Sequence, residues 1–272
     1  MLTEPDAPVA LFLFAHQDDE FGVFAQIEQE LRGGRRVRCI YATDGAATAI
    51  PDVRDAESRA VLLKLGVTTG DIIFVGRQLG ISDGQLLRHT DTFKQWLNSF
   101  FNLHQKLDVC FVPAWEGGHP DHDLLHAIAI ELLNPKKNIV KIWQYPLYNG
   151  RNCFSPFFRL CSPLPENGPV NRSRISWPDR LRYVRLCLAY PSQWRTWIGL
   201  FPFACAHYLL VGVQQLQRVE KTRLSQPPHP QPLYYERRGF LDWSAMQLVV
   251  EQLIAQKSVK TAADSTSPKR ST

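Results

Sequence analysis

Val9-Ala10-Leu11-Phe12-Leu13-Phe14-Ala15-His16-Gln17-Asp18-Asp19-Glu20 is the stretch on which the fold of this chain turns. The apolar run Val9–Ala15 is about a third of the roughly 20 residues that a membrane-crossing helix needs. It follows the acidic start MLTEPD rather than a basic leader, so neither a span nor a signal peptide is expected. Val9–Phe14 reads as a compact strand. It delivers a histidine and two adjacent carboxylates to its carboxyl end.

The same pattern repeats outward from there. Asp19–Leu31 reads as a helix stopped at Gly33-Gly34, and Arg36–Tyr41 as the next strand, followed by a Thr43-Asp44-Gly45 loop. Arg54–Leu65 is helical and stopped by Gly66. Asp71–Val75 is strand-like, a turn falls at Asp83-Gly84, and His89–Leu103 fits an amphipathic helix. Asp108–Pro113 is a fourth strand. Asp121–Leu133 is helical, with Pro120 suited to its first turn, and Ile139–Tyr145 is a further strand. Short apolar strands alternating with longer helices predict an α/β fold: a mostly parallel, Rossmann-like sheet with helices on both faces. The polar punctuation after Phe14, Tyr41 and Val112 then lies at the strands' carboxyl ends, where such sheets bind ligands.

The second half is less regular. Leu147–Asn171 is rich in proline, glycine and aromatics, Asp179–Ala189 reads as a helix, Pro227–Pro232 as a rigid connector and Leu241–Ala255 as a final amphipathic helix. The expected organisation is one domain over 1–257, with an irregular C-terminal elaboration from about 147, and a flexible tail over 258–272.

The chain has 272 residues, 44% of them hydrophobic, which excludes a collagen-like or fully disordered protein. Lys plus Arg is 31 and Asp plus Glu is 26, a mild excess of +5. Arg172, Arg174, Arg180, Arg182 and Arg185 form the densest basic cluster, suited to an anionic group on a substrate or to a solvated surface. No nucleic-acid motif accompanies it, and no nucleic-acid partner is expected. The six cysteines show no CxxC or zinc-knuckle spacing and read as reduced thiols of a cytoplasmic protein. No Rossmann glycine motif, Walker loop or HExxH is present.

The second chemical motif is Gly117-Gly118-His119-Pro120-Asp121-His122-Asp123, just beyond the fourth strand. Imidazole and carboxylate both suit zinc, and catalytic zinc commonly has three protein ligands and one open position. Two strand ends of one sheet can bring the motifs together. His126, one helical turn after His122, is either a further ligand or a partly buried structural histidine. Asp121 is a candidate for orienting a histidine or for an acid in the first helical turn. Glu20 is either a ligand contact or a helix cap.

Together these residues resemble the PIG-L/LmbE-like zinc-dependent N-deacetylases. AHQDDE at 15–20 is similar to the family's AHPDDE, and His119-Pro120-Asp121-His122 to its HPDH. Thr43-Asp44-Gly45, the Arg54/Glu57/Ala60/Leu65-Gly66 pattern and Tyr190-Pro191-Ser192-Gln193 agree more weakly. The resemblance spans about 9–193. It implies His16, Asp19 and His122 as zinc ligands, Asp18 as general base, and a protonated His119 assisting the oxyanion or proton transfer. Gln17 stands where the family has proline, which relaxes the loop but removes no ligand or base.

The implied activity is removal of an acetyl group from an N-acetylated amino sugar or glycoconjugate, with Zn2+ as cofactor or another divalent ion such as Fe2+. A zinc amidohydrolase of non-sugar amides and a noncatalytic carbohydrate-binding protein are the alternatives. Candidate substrate contacts are Asp44, Arg54, Trp115, Tyr190, Ser192 and Gln193, with Trp143, Tyr145 and Tyr148 as further aromatic wall residues.

Overall fold

The computed structural model describes residues 7–46, 50–103, 106–133 and 141–265, the side chains of 221 and 256–265 excepted. Strand β1 (Val9–Phe14) is followed by a 3-10 turn (Asp19–Gly22) and helix α1 (Phe24–Arg32). Then come β2 (Arg36–Tyr41), α2 (Pro51–Leu65), β3 (Ile72–Phe74), the short α3 (Val75–Leu79) and α4 (Thr90–Leu103). Strand β4 (Leu107–Pro113), α5 (Pro120–Leu133) and β5 (Lys141–Tyr145) complete the alternating half. Residues 139–140 of the expected fifth strand lie outside the described residues.

The elaboration is more ordered than its composition suggests. It contains the two-residue strands β6 (Tyr148–Asn149) and β7 (Arg159–Leu160), then β8 (Val170–Arg174) and α6 (Trp177–Cys187). Next are α7 (Trp194–Ala206), continued by a π turn over His207–Val211, and β9 (Val213–Arg218). The short α8 (Tyr234–Arg237) and a long α9 (Trp243–Ser265) close the chain. Helix α9 passes the expected end at Ala255, so 258–265 of the anticipated tail are helical; 266–272 lie outside the described residues.

The main sheet runs β3-β2-β1-β4-β5-β9-β8. Strands β1 to β5 are parallel, and β9 and β8 add an antiparallel edge. The expected mostly parallel sheet is therefore present. The unbroken apolar run of β1 has a direct cause: both faces are covered. Leu11 and Leu13 pack into the layer built with Phe93 and Leu97 of α4, Leu125 and Ile128 of α5, and Met246 of α9. Ala10, Phe12 and Phe14 point the other way, toward Phe24 of α1, Leu62 of α2, Tyr183 of α6 and Trp197 of α7.

Chain order reverses between β1 and β4. Going one way from β1 the sheet continues to β2 and β3, and going the other way it continues to β4 and β5. Loops leaving adjacent strands in opposite directions open a crevice at their carboxyl ends. His16 follows β1 and His119 follows β4, so both motifs open into that crevice. No helix among the described residues is long and apolar enough to cross a membrane.

Candidate active site

The β1 loop folds around its own carboxylates. Asp19 Oδ2 accepts the backbone N–H groups of Ala15 and His16, each at 2.9 Å. Glu20 Oε2 accepts the Asp18 N–H at 2.8 Å, and Glu20 also accepts the Tyr41 hydroxyl and, at 3.3 Å, the Tyr190 hydroxyl. Glu20 is thus a buried loop anchor. These bonds hold Asp18 at a φ of 132°, a conformation costly for a residue with a side chain and typical of functional sites.

The β4 loop is held in a similar way. Asp123 accepts the N–H groups of Glu116 and Gly117. Glu116 reaches across to the N–H groups of Leu147 and Tyr148 at 2.7 and 2.9 Å. Pro120 starts α5, whose first turns present Asp121 and His122.

The two loops meet at a buried cluster. His122 Nε2 lies 3.1 Å from His16 Nδ1 and 3.1 Å from Asp19 Oδ1. Among the described residues two groups of side chains can hold a metal ion: His16, Asp19 and His122, all buried, and His16, His119 and Asp121. Four-coordinate zinc with bonds of about 2.1 Å separates its ligands by about 3.4 Å. The separations in the first group are close to that, and its two-imidazole, one-carboxylate donor set suits a divalent cation.

The electrostatics agree with that fit. His16 Nε2 lies 3.1 Å from Asp83 Oδ1 and 3.2 Å from Asp121 Oδ2. Burial works against charge on His16, but Asp83, Asp121 and Asp19 override it and raise its pKa well above the usual value. Burial would likewise raise Asp19, yet the His122 imidazole holds it at about 2. The cluster is built to stabilise positive charge.

Asp18 sits beside this cluster in a different environment. Burial raises it to about 7 against the opposing pull of Arg54. Its Oδ1 accepts from Arg54 at 3.3 Å and its Oδ2 from the Trp197 indole N–H at 3.1 Å. His119 faces His16 edge-on at 4.6 Å. Its Nδ1 accepts the Asp121 N–H at 3.2 Å, which leaves the proton on Nε2 when the ring is neutral. Burial, with His16 acting in the same direction, lowers His119 to about 4. In its neutral form the ring therefore carries an N–H on Nε2 that it can donate.

Other expected site residues have protein partners. Asp121 is buried and accepts the N–H groups of Gly84 and Leu86 at 2.7 and 3.2 Å while facing His16, so it positions that ring. Asp44 accepts Ala46 N–H and the Ser82 hydroxyl, tying two loops together. Arg54 is buried and donates to the carbonyls of Gln17 and Gly45 as well as to Asp18, so it braces that carboxylate rather than reaching out of the site. Trp115 is fully buried against Trp243 and His126 and belongs to the core, not to a pocket wall. Tyr190 stacks on Trp197 at 5.6 Å, Ser192 is held by Glu57, and Gln193 is buried at the start of α7. His126 donates Nδ1–H to the Pro113 carbonyl at 2.8 Å and lies in neither metal-competent group.

Sequence reasoning missed Asp83 and Trp197. Asp83 lies in a turn far along the chain, and Trp197 in a helix with no polar signature. Neither carries a local signal of its place beside His16 and Asp18.

A parallel sheet with a switch-point crevice, a cation-competent His/His/Asp cluster and an adjacent buried acid defines a metal-dependent α/β enzyme. Residues 11–133, a little under half of the chain, match the family model described as PIG-L: GlcNAc-PI de-N-acetylase. No curated protein matches by sequence. Among solved structures, an N,N'-diacetylchitobiose deacetylase from Pyrococcus horikoshii is 18% identical with a TM-score of 0.56, covering 80% of this chain and 85% of that one. A deacetylase from the teicoplanin biosynthetic pathway, in complex with teicoplanin, is 17% identical with a TM-score of 0.56, covering 78% and 97%. A conserved protein from Thermus thermophilus is 20% identical with a TM-score of 0.51, covering 82% and 97%. At these identities the likeness is one of fold.

Proposed function

We propose that the protein removes the acetyl group from an N-acetylated amino sugar or glycoconjugate, in a reaction that depends on a divalent ion held by His16, Asp19 and His122. The observation that carries this reading is Asp18, a buried carboxylate with a pKa of about 7, placed directly beside that cluster. The family model, the diacetylchitobiose deacetylase and the teicoplanin-pathway deacetylase support it. Zinc is the expected ion, with iron(II) the main alternative for such a donor set.

When bound, the ion supplies Lewis acidity, polarising the acyl carbonyl and lowering the pKa of water. Asp18 accepts the proton of the attacking water. A carboxyl group poised near neutrality does this at little cost in either direction. Trp197 and Arg54 fix its two oxygens, so little reorganisation accompanies the transfer. His119 directs its Nε2–H toward the oxygen that gains charge as the carbonyl becomes tetrahedral. The proton held on Asp18 then passes to the departing nitrogen, giving acetate and a free amine. Asp121 and Asp83 keep His16 oriented throughout.

Tyr190, Ser192, Gln193 and Asp44 remain proposed as the edge of the sugar-binding region, acting through the loops they hold. A cytoplasmic location is proposed as well: all six cysteines are unpaired, as in a reducing compartment.

Incubation of the metal-loaded protein with a panel of N-acetyl amino sugars, N-acetylated glycoconjugates and non-sugar N-acyl amides tests the reading. Acetate and primary amine should appear in equal amounts from the sugars. Turnover of the non-sugar amides alone would replace the proposed substrate class.

A further inference from the structure

Helices α6 and α7 each carry an outer face that the fold leaves open. Their inner residues, Tyr183 and Leu186 of α6 and Trp197, Leu200 and Ala204 of α7, are buried in the layer beneath the sheet. Outward, α6 presents Trp177, Leu181 and Leu188, spaced by four and seven residues and so on one side of the helix. The outer side of α7 and its π turn presents Trp194 at 57% exposure, Ile198 at 68% and Leu210 at 81%.

These stripes adjoin. The chain turns back between Leu188 and Trp194 through a single short 3-10 turn. At the other end Arg180 lies over the Trp177 ring at 4.5 Å and donates to the carbonyls of Leu209 and Gly212, which flank Leu210 and Val211. The Trp177 ring and the backbone on either side of Leu210 and Val211 therefore contact one guanidinium. The result is a pair of neighbouring apolar stripes bridged by Arg180, of a kind that marks an interaction site.

Charge decides what that surface faces. The segment from Pro169 to Arg218 contains seven arginines, one aspartate, no glutamate and no lysine, a net +6, while the whole chain is only +5. Arg182 is neutralised by Glu28 and Asp179, and Arg180 is spent on backbone carbonyls. Arg172, Arg174, Arg185 and Arg195 remain exposed around the apolar stripes. A second copy of the chain would set two such positive segments against each other. An anionic surface with an apolar interior satisfies both properties at once. Tryptophan and arginine bordering leucine and isoleucine are the composition of helices that lie in a lipid headgroup region.

We propose that the α6–α7 face docks the protein onto anionic phospholipid membranes, lying in the interface without crossing it. The placement has a consequence for the site. Trp197, on the inner side of α7, donates to Asp18, so the docked helix is hydrogen-bonded directly to that carboxylate. Docking itself does not depend on the activity proposed above.

The test is co-sedimentation of the full chain with vesicles of phosphatidylcholine alone and of phosphatidylcholine with a minor share of phosphatidylserine. The chain should pellet with the anionic vesicles and release as salt rises. Each exposed arginine near such a surface contributes about fivefold to affinity at low salt, so Arg172→Gln/Arg174→Gln/Arg185→Gln should weaken binding about a hundredfold. Brominated lipid should quench the wild-type tryptophan emission. That quenching should fall in Trp177→Phe/Trp194→Phe, whose substitutions are at the surface and leave the core intact. The proposal is overturned if the chain stays in the supernatant, or if vesicle binding is the same in both variants. It is also overturned if sedimentation equilibrium shows a dimer that the Trp177→Ser/Trp194→Ser/Leu210→Ser variant converts to monomer.

Discussion

The indole N–H of Trp197 donates to Asp18 Oδ2 at 3.1 Å, joining a helix of the C-terminal elaboration to the acid of the first motif. The elaboration thus reaches Asp18 through a residue outside the segment matched by the family model. A hydrogen bond to a charged group contributes about 1.5–3 kcal/mol. Trp197→Phe, which keeps the stacking on Tyr190, should therefore lower kcat by about tenfold or more with KM and bound metal unchanged. A raised KM at constant kcat would show that Trp197 touches substrate instead of positioning Asp18.

Asp18→Asn keeps the shape of the side chain but removes its capacity to take a proton. Turnover should fall by about 10²–10⁴-fold. Metal content should be retained, because Asp18 belongs to neither metal-competent group. Wild-type turnover in this variant would remove Asp18 from the base role.

His126 gives a stability signature separate from catalysis. Burial lowers its pKa to about 4 despite the hydrogen bond to Pro113. An unfolded histidine titrates near 6.5, so between about 6.5 and 4 the unfolded chain binds the extra proton. Stability is then lost as pH falls through that window, by up to about 3 kcal/mol, and below it no more is lost. His126→Asn cannot titrate, so the fall of its unfolding free energy in urea across that window should be smaller by that amount, with a slope shallower by up to about 1.4 kcal/mol per pH unit. Equal slopes in the two proteins would show that His126 is charged in the fold.

Gly76 tests how closely the loop after β2 is packed. A Cβ there would lie 2.2 Å from the Cα and carbonyl carbon of Thr43, and backbone cannot move aside as a flexible side chain can. Thr43 in turn bonds the Ala15 carbonyl through its hydroxyl at 2.7 Å. Gly76→Ala should destabilise the protein by about 1–3 kcal/mol, seen as a lower Tm. An unchanged Tm would mean that the loop is free to shift.

What the sequence makes legible follows from how local each cause is. Strands β1 and β2 end where their apolar runs end, because both faces of a central parallel strand are buried. The helix expected over Asp19–Leu31 is broken at Val23, because Asp19 and Glu20 are turned back onto backbone N–H groups of their own loop. Strand β9, VQQLQR, reads as polar, yet Gln217 is buried and bonds the carbonyls of Leu164 and Gly168. Helix α7 is apolar nearly all round, which hides the 3.6-residue period by which a half-buried helix is recognised. The motif residues His16, Asp19 and His122 converge as expected from two strand ends. Asp83 and the bracing role of Arg54 arise only when distant loops fold together.

The most direct measurement of the central claim is metal stoichiometry by elemental analysis after dialysis against zinc, made on the wild type and on His16→Ala and His122→Ala. One ion per chain is expected in the wild type. Each histidine variant should show near-complete loss, with its fold intact by circular dichroism. A wild-type chain that binds no ion, or histidine variants that keep a full one, would contradict the account.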